Sequence, residues 1–135
     1  MGCTKALRSC TKMPIPLCLT MIVKNEVHVL PETLLNLWSH FQIAAYAIGD
    51  TGSTDGTQEV VRDFFSQRGV PGKVQEDEWK GFGHNRSHAM VLGRNVCREH
   101  ELDYLLVFDA DDRVHGTMQI PCPLTADAYK LKFGG

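Results

Sequence analysis

Three carboxylates crowd into four residues at Asp109-Ala110-Asp111-Asp112, directly after the apolar run Tyr104-Leu105-Leu106-Val107-Phe108. A run of that length, rich in aromatic and branched side chains, predicts a buried strand. Ligands of an open α/β sheet sit in the crevice beyond the carboxyl ends of its strands, and this cluster falls at such an end. So much negative charge suits a hard divalent cation. Mg²⁺ and Mn²⁺ prefer oxygen ligands and are held by one or two carboxylates together with phosphate oxygens and water. The competing reading is a solvated acidic turn, because Asp favours tight turns for purely local reasons.

A second cluster, Asp50-Thr51-Gly52-Ser53-Thr54-Asp55-Gly56-Thr57, follows another apolar stretch, Ile43-Ala44-Ala45-Tyr46-Ala47-Ile48. Gly52 and Gly56 permit positive φ, and Ser53, Thr54 and Asp55 have side chains that bond the first amides of a following helix. Asp55 with Gln58 forms a capping-box-like pair, which accounts for Asp55 but leaves Asp50 at the strand tip unexplained.

These segments together resemble the nucleotide-binding half of a family 2 glycosyltransferase of the GT-A fold. The resemblance rests on Thr20-Met21-Ile22-Val23-Lys24-Asn25-Glu26, on residues 50–57, on Asn85-Arg86-Ser87-His88-Ala89 and on residues 103–112, in that order. It covers residues 17–113. It implies an α/β fold with a Rossmann-like, mostly parallel sheet and helices on both faces, truncated after the acidic strand. It also implies an inverting, metal-dependent transfer from a nucleotide-diphosphate sugar, with Mn²⁺ or Mg²⁺ as cofactor.

Residue roles follow from the same resemblance. Asp111 is the expected first metal ligand. Asp109 shares the metal or accepts from a ribose hydroxyl, and Asp112 contacts the donor sugar or a metal-bound water. Asp50 accepts from the nucleobase imide N–H, which favours a UDP-sugar over a GDP-sugar, while Thr20 and Glu26 line the base and ribose. Arg86 offers a positive fork to a base carbonyl or a phosphate. The residue after this Arg is commonly Asn in the family and is Ser87 here, so no contact is assigned to it. The family's general base is a carboxylate beyond the metal motif, and Asp127 follows Asp112 too closely to match it, so no catalytic base is named. A saccharide, lipid or protein acceptor stays open.

The chain has 135 residues, which fits one domain and falls short of the family's usual catalytic domain. Hydrophobic content of 43%, charged content of 22% and a net charge of -2 describe an ordinary globular composition with no basic excess for nucleic acid. Five cysteines without Cys-x-x-Cys spacing argue against a disulfide framework or a cysteine zinc site and favour the cytoplasm or the cytosolic face of a membrane. Residues 1–16 read as a tail and 17–135 as the nucleotide-sugar-binding portion. Lys5, Arg8 and Lys12 precede an apolar stretch in the order of a secretory signal, but Pro14 and Pro16 interrupt it and no small-residue cleavage site follows. The stretch is also too short to span a membrane. Gly2-Cys3 lacks the Ser or Thr that a myristoylation motif needs, because Ala6 stands there.

Strands and helices alternate in a pattern that predicts a parallel sheet. A first strand covers residues 17–23, and Leu30, Leu34, Leu37, Trp38 and Phe41 recur at helical spacing behind Pro31. Val60, Val61, Phe64 and Phe65 form the inner face of a second helix that stops before Gly69-Val70-Pro71-Gly72. A short strand at 73–75, a loop at 76–83 tipped by Trp79 and Phe82, and a helix at 85–96 lead to the acidic strand. A weak alternation at 128–133 suggests one more strand. Trp79 and Phe82 serve either as a mobile lid over the donor or as packing for their loop. His84 and His88, four apart on one helix face, lack a third ligand nearby in sequence and read as polar-face residues.

Two other classes compete with the transferase. One is a binding-only module that completes its site with another chain, and the other is a noncatalytic interaction domain. A nucleotidyltransferase is disfavoured, since residues 20–26 contain no glycine and form no Lys-bearing phosphate loop.

Overall fold

The computed structural model describes residues 6–10, 13–114 and 118–122. In chain order the elements are β1 (Ala6–Cys10), β2 (Met13–Val23), α1 (Leu30–His40), β3 (Phe41–Asp50), α2 (Thr57–Gln67), β4 (Gly72–Glu76), α3 (Phe82–Glu99), β5 (Leu105–Val107) and β6 (Met118–Cys122). Four strands form one parallel sheet in the order β4-β3-β2-β5, and β1 pairs antiparallel with β6 in a separate ribbon.

That order sets the layers. The chain moves from β2 to β3 to β4 in one direction, then returns past β2 to lay down β5. Right-handed crossovers put the outward helices on one face and the returning helix on the other. Accordingly α1 and α2 pack with Leu17, Leu19, Met21 and Val23, whereas α3 covers Cys18, Ala45 and Ala47. The expected Rossmann-like arrangement with helices on both faces is therefore present. No helix among the described residues is long and apolar enough to cross a membrane.

Alternation along β2 divides its side chains between the two faces, but β3 departs from it. Leu17 pairs with Ile43 and Cys18 with Ala45, so Ala44 is an extra residue that shifts the register. Phe41 and Ile43 face α1 and α2 before the bulge, and Tyr46 and Ile48 face them after it. The bulge thereby fixes which side each later residue of β3 takes. Leu30, Leu34, Leu37, Phe65 and Val61 are fully buried in this larger core, each contributing about 1.5–3 kcal/mol by leaving water. Tyr46 stacks on Phe65 at 4.5 Å between ring centroids. Gly72 is required beside it, since an added Cβ would stand 2.3 Å from the Tyr46 carbonyl oxygen.

Several boundaries differ from expectation. A strand already exists at Ala6–Cys10, and β2 begins at Met13, with its early register interrupted between Met13 and Pro16 where prolines remove ladder donors. Phe41 belongs to β3 rather than the end of α1, and it reaches the core from extended backbone. The third helix begins at Phe82 and runs to Glu99, so Phe82 opens a helix instead of tipping a loop. The acidic strand is three residues long, Leu105–Val107. The suggested strand at 128–133 and Asp127 lie outside the described residues.

Candidate functional site

The register brings the strand ends level. Val23 pairs with Asp50 and Asp50 with Glu76, while Phe108 donates its amide to the Thr20 carbonyl at 3.2 Å. The loops after β2, β3, β4 and β5 therefore emerge along one edge. Neighbours of β2 are reached by connections running in opposite directions, which makes this edge the topological switch point where α/β sheets open a crevice. A cleft of about 320 Å³ is found there, lined by Ile22, Val23, Lys24, Glu26, Thr51, Trp79, Phe82, Arg86 and Asp109.

At its mouth, Asp109, Asp111 and Asp112 each offer a carboxylate oxygen, and these oxygens all lie within 4.8 Å of one another. The backbone explains the convergence. Ala110 is 4% exposed and packs into the core, which turns its neighbours outward. The Asp112 amide donates to the Asp109 carbonyl at 3.2 Å, closing a turn. From α1, the Thr33 hydroxyl donates to the Ala110 carbonyl, and Asn36 grips Val114 through both its amide atoms, at 2.9 Å to the carbonyl and 2.7 Å from the N–H. Arg113 donates to the Thr33 hydroxyl oxygen and meets Glu32 at 3.4 Å. Burial, followed by the charges of Asp109 and Asp111, pushes the Asp112 carboxyl above its ordinary pKa. Hard oxygen donors gathered under mutual repulsion fit a divalent cation of the Mg²⁺ or Mn²⁺ type.

Arg86, on the second turn of α3, bonds Asp109 at 2.8 Å and lies 5.0 Å from the centroid of the Phe82 ring. Glu26 and Asp109 stand with it in the cleft wall. Two expected residues stand elsewhere. Thr20 is 1% exposed beneath α3, where its hydroxyl donates to the Ala89 carbonyl at 3.3 Å; Ile22, two residues on, is the β2 side chain that reaches the cleft. Asp50 is wholly buried. One of its oxygens accepts the amides of Gly52 and Ser53, at 3.2 and 2.9 Å, and the other accepts from the Gln58 side chain. Its neighbour Thr51 lines the cleft instead.

The loop between β3 and α2 is similarly occupied with itself and with the β2 loop. Asn25, in left-handed backbone at φ 52°, accepts from the Thr54 amide at 2.8 Å and donates its own amide to Ser53 at 2.9 Å. Asp55 accepts from the Val27 amide at 3.2 Å and from the amide and hydroxyl of Thr57. Gly56, at φ 91°, occupies the N-cap, so the expected Asp55–Gln58 capping box does not form and Gln58 is committed to Asp50 and Glu76. A second hollow of about 330 Å³ borders this loop between Ser53 and Glu59 and contains none of the cleft residues.

Sequence reasoning missed Thr51, Thr33 and Asn36. Only the turn signal around Asp109 hinted at the last two, because nothing in a one-dimensional pattern pairs a helix face with a loop some 77 residues away. Trp79 and Phe82, 52% and 60% exposed, do flank the cleft. Ser87 is exposed on α3.

Comparison with known proteins agrees with this arrangement. No curated protein matches the chain. The family model for glycosyl transferase family 2 matches residues 18–119, a span that begins within β2 and takes in every loop of the cleft, and the chain belongs to that family.

Proposed function

We propose that the chain forms the donor-binding half of a metal-dependent, inverting glycosyltransferase that takes a nucleotide-diphosphate sugar, with UDP preferred over GDP. Membership of glycosyl transferase family 2 gives it a glycosyltransferase-type domain, which works with a nucleotide-sugar donor and an acceptor. The observation that carries the finer reading is the convergence of Asp109, Asp111 and Asp112 within 4.8 Å at the mouth of the switch-point cleft.

Asp111 would hold the metal, with Asp109 shared between the metal and Arg86, and Asp112 would contact the donor sugar or a metal-bound water. A bound Mn²⁺ or Mg²⁺ would offset the charge of the diphosphate and of the departing nucleoside diphosphate. Arg86 supports the same end of the donor from the opposite side, exchanging part of its bond to Asp109 for a phosphate oxygen. Glu26 accepts from ribose hydroxyls. The base lies against Ile22 and Thr51, with Trp79 and Phe82 flanking it. Asp50 contributes by holding the loop that presents Thr51, and through it the preference for uracil. Thr20 supports this wall from beneath α3.

Calorimetric titration with UDP, with and without Mn²⁺ and with GDP as competitor, tests the reading. Metal-dependent UDP binding stronger than GDP binding is expected. Equal affinity with and without metal would overturn the role of the carboxylates, and an absence of nucleotide binding would favour the noncatalytic class.

A further inference from the structure

A second group of side chains able to ligate a metal shares no residue with the carboxylate cluster. Asp77, in the loop after β4, meets His84 and His88 on α3, and the three ligand atoms lie within 4.8 Å of one another. The helix supplies the pair, because residues four apart stack on one face. Their rings are 4.1 Å apart between centroids and tilted by 47°. The loop supplies the third group, with Asp77 Oδ1 3.2 Å from His88 Nδ1.

The carboxylate is held in place by a buried neighbour. Asn85 is 1% exposed, and its Nδ2 donates to Asp77 Oδ2 at 3.0 Å and to the Glu78 carbonyl at 2.9 Å, while its Oδ1 accepts the Lys80 amide at 2.9 Å. All polar atoms of this amide side chain are thus spent on the 77–80 loop. One Asp77 oxygen is fixed by the amide, and the other is aimed at the histidines. A supporting bond of this kind is what orients a carboxylate ligand at a metal centre. A tetrahedral ion with bonds of about 2.0–2.1 Å separates its ligand atoms by about 3.3–3.4 Å. The Asp77–His88 separation of 3.2 Å is within about 0.2 Å of that spacing. A simple ion pair between Asp77 and His88 would leave His84, packed against His88 and half-buried, without a part.

We propose that Asp77, His84 and His88 form a site for a zinc-class divalent ion, chemically distinct from the all-oxygen cluster at Asp109, Asp111 and Asp112. Two imidazoles and one carboxylate select a borderline ion over Mg²⁺, and three protein ligands leave a position for water. The ion ties the 77–81 loop to α3. Trp79, which that loop carries into the cleft wall, is thereby held in place.

The test titrates Co²⁺ and then Zn²⁺ into the whole chain in excess Mg²⁺. One Co²⁺ per chain is expected, with visible d–d bands, no thiolate charge transfer, and displacement by Zn²⁺. His84→Asn and His88→Ala should each lower Zn²⁺ affinity at least about tenfold, as loss of even a supporting group does at such sites. Asp111→Ala should leave it unchanged. Zn²⁺ should also change the tryptophan emission in a way that Trp79→Phe removes. His88 is exposed, so its variant keeps the fold and isolates the metal. Binding that persists undiminished in both histidine variants, thiolate charge transfer with Co²⁺, or no uptake below millimolar metal would each overturn the site.

Discussion

Two acidic loops leave the same sheet edge, and they use their carboxylates in opposite ways. In the loop after β3, Asp50 is buried with both oxygens bonded, and Asp55 accepts from Val27 and Thr57. In the loop after β5, Asp109, Asp111 and Asp112 point outward together, and the turn is fixed by α1 through Thr33 and Asn36. The first loop spends its charge on its own backbone. The second is held by other residues, and of its carboxylates Asp109 is taken up by Arg86 while Asp111 and Asp112 are not needed to fold the loop. On the proposed function, acidic residues after a strand are available to a metal only where something else does the work of folding the loop.

Substituting each loop's central acid gives the widest separation between them. Asp111→Ala should reduce Mn²⁺-dependent UDP affinity by more than about 100-fold, about 3 kcal/mol, because the ligand set loses a member. Stability should stay within about 0.5 kcal/mol, as for other exposed positions. Calorimetry and urea unfolding of the same variant check both halves. A large stability loss would mean that the β5 loop, too, depends on its own carboxylates.

Asp50→Ala should give the reverse. Two backbone amides and the Gln58 side chain lose a buried charged acceptor, which costs about 2–3 kcal/mol of stability. UDP binding should weaken equally with and without metal, since the loop that sets Thr51 is disturbed while the carboxylate cluster is not. A loss confined to the metal-containing titration would contradict that account.

Asn36→Ala removes a clamp that lies outside both clusters. With the bidentate grip on Val114 gone, Mn²⁺-dependent affinity should fall by about 10-fold, toward the lower end for a lost supporting partner. The accompanying loss of stability should be about 1 kcal/mol. Unchanged Mn²⁺ affinity would show that the turn at Asp109 orients the cluster without help from α1.

Much of this fold was legible because its signals are local. Apolar runs marked β2, β3 and β5, the stripe Leu30, Leu34 and Leu37 marked α1, and the Gly69–Gly72 cluster marked the end of α2. The strand-end position of Asp109 and Asp111 was legible for the same reason. The orientation of Asp50 was not. The bulge at Ala44 resets the alternation of β3, and a one-residue shift sends a side chain to the opposite face. Asp50 therefore turns toward α2 and Thr51 toward the cleft. Of the proposed Asp77 site, His84 and His88 stood out as a pair and read as polar-face residues, whereas Asp77 did not, because it sits in a loop whose path is decided by Asn85, a helical residue with no apolar pattern to betray its burial.

The smallest effect separates the two loops by pH. Hydrogen bonds from Thr57, and from the Val27 amide, hold the Asp55 carboxyl below its ordinary pKa. An unfolded Asp titrates near about 3.9, so between that value and the lower folded one the unfolded chain binds the extra proton. Asp55 consequently stabilises the fold fully above the unfolded value, and the contribution disappears as pH falls through the folded value. Asp112 is shifted the other way, by burial and by the charges of Asp109 and Asp111, so its ionisation opposes folding rather than supporting it. Urea unfolding of the wild type and Asp55→Asn across this acidic range should show the variant less stable at neutral pH and the two converging in acid. Asp112→Asn should show a gain in stability at neutral pH that fades in acid. If both variants shifted in the same direction, the two loops would not differ in how their carboxylates are used.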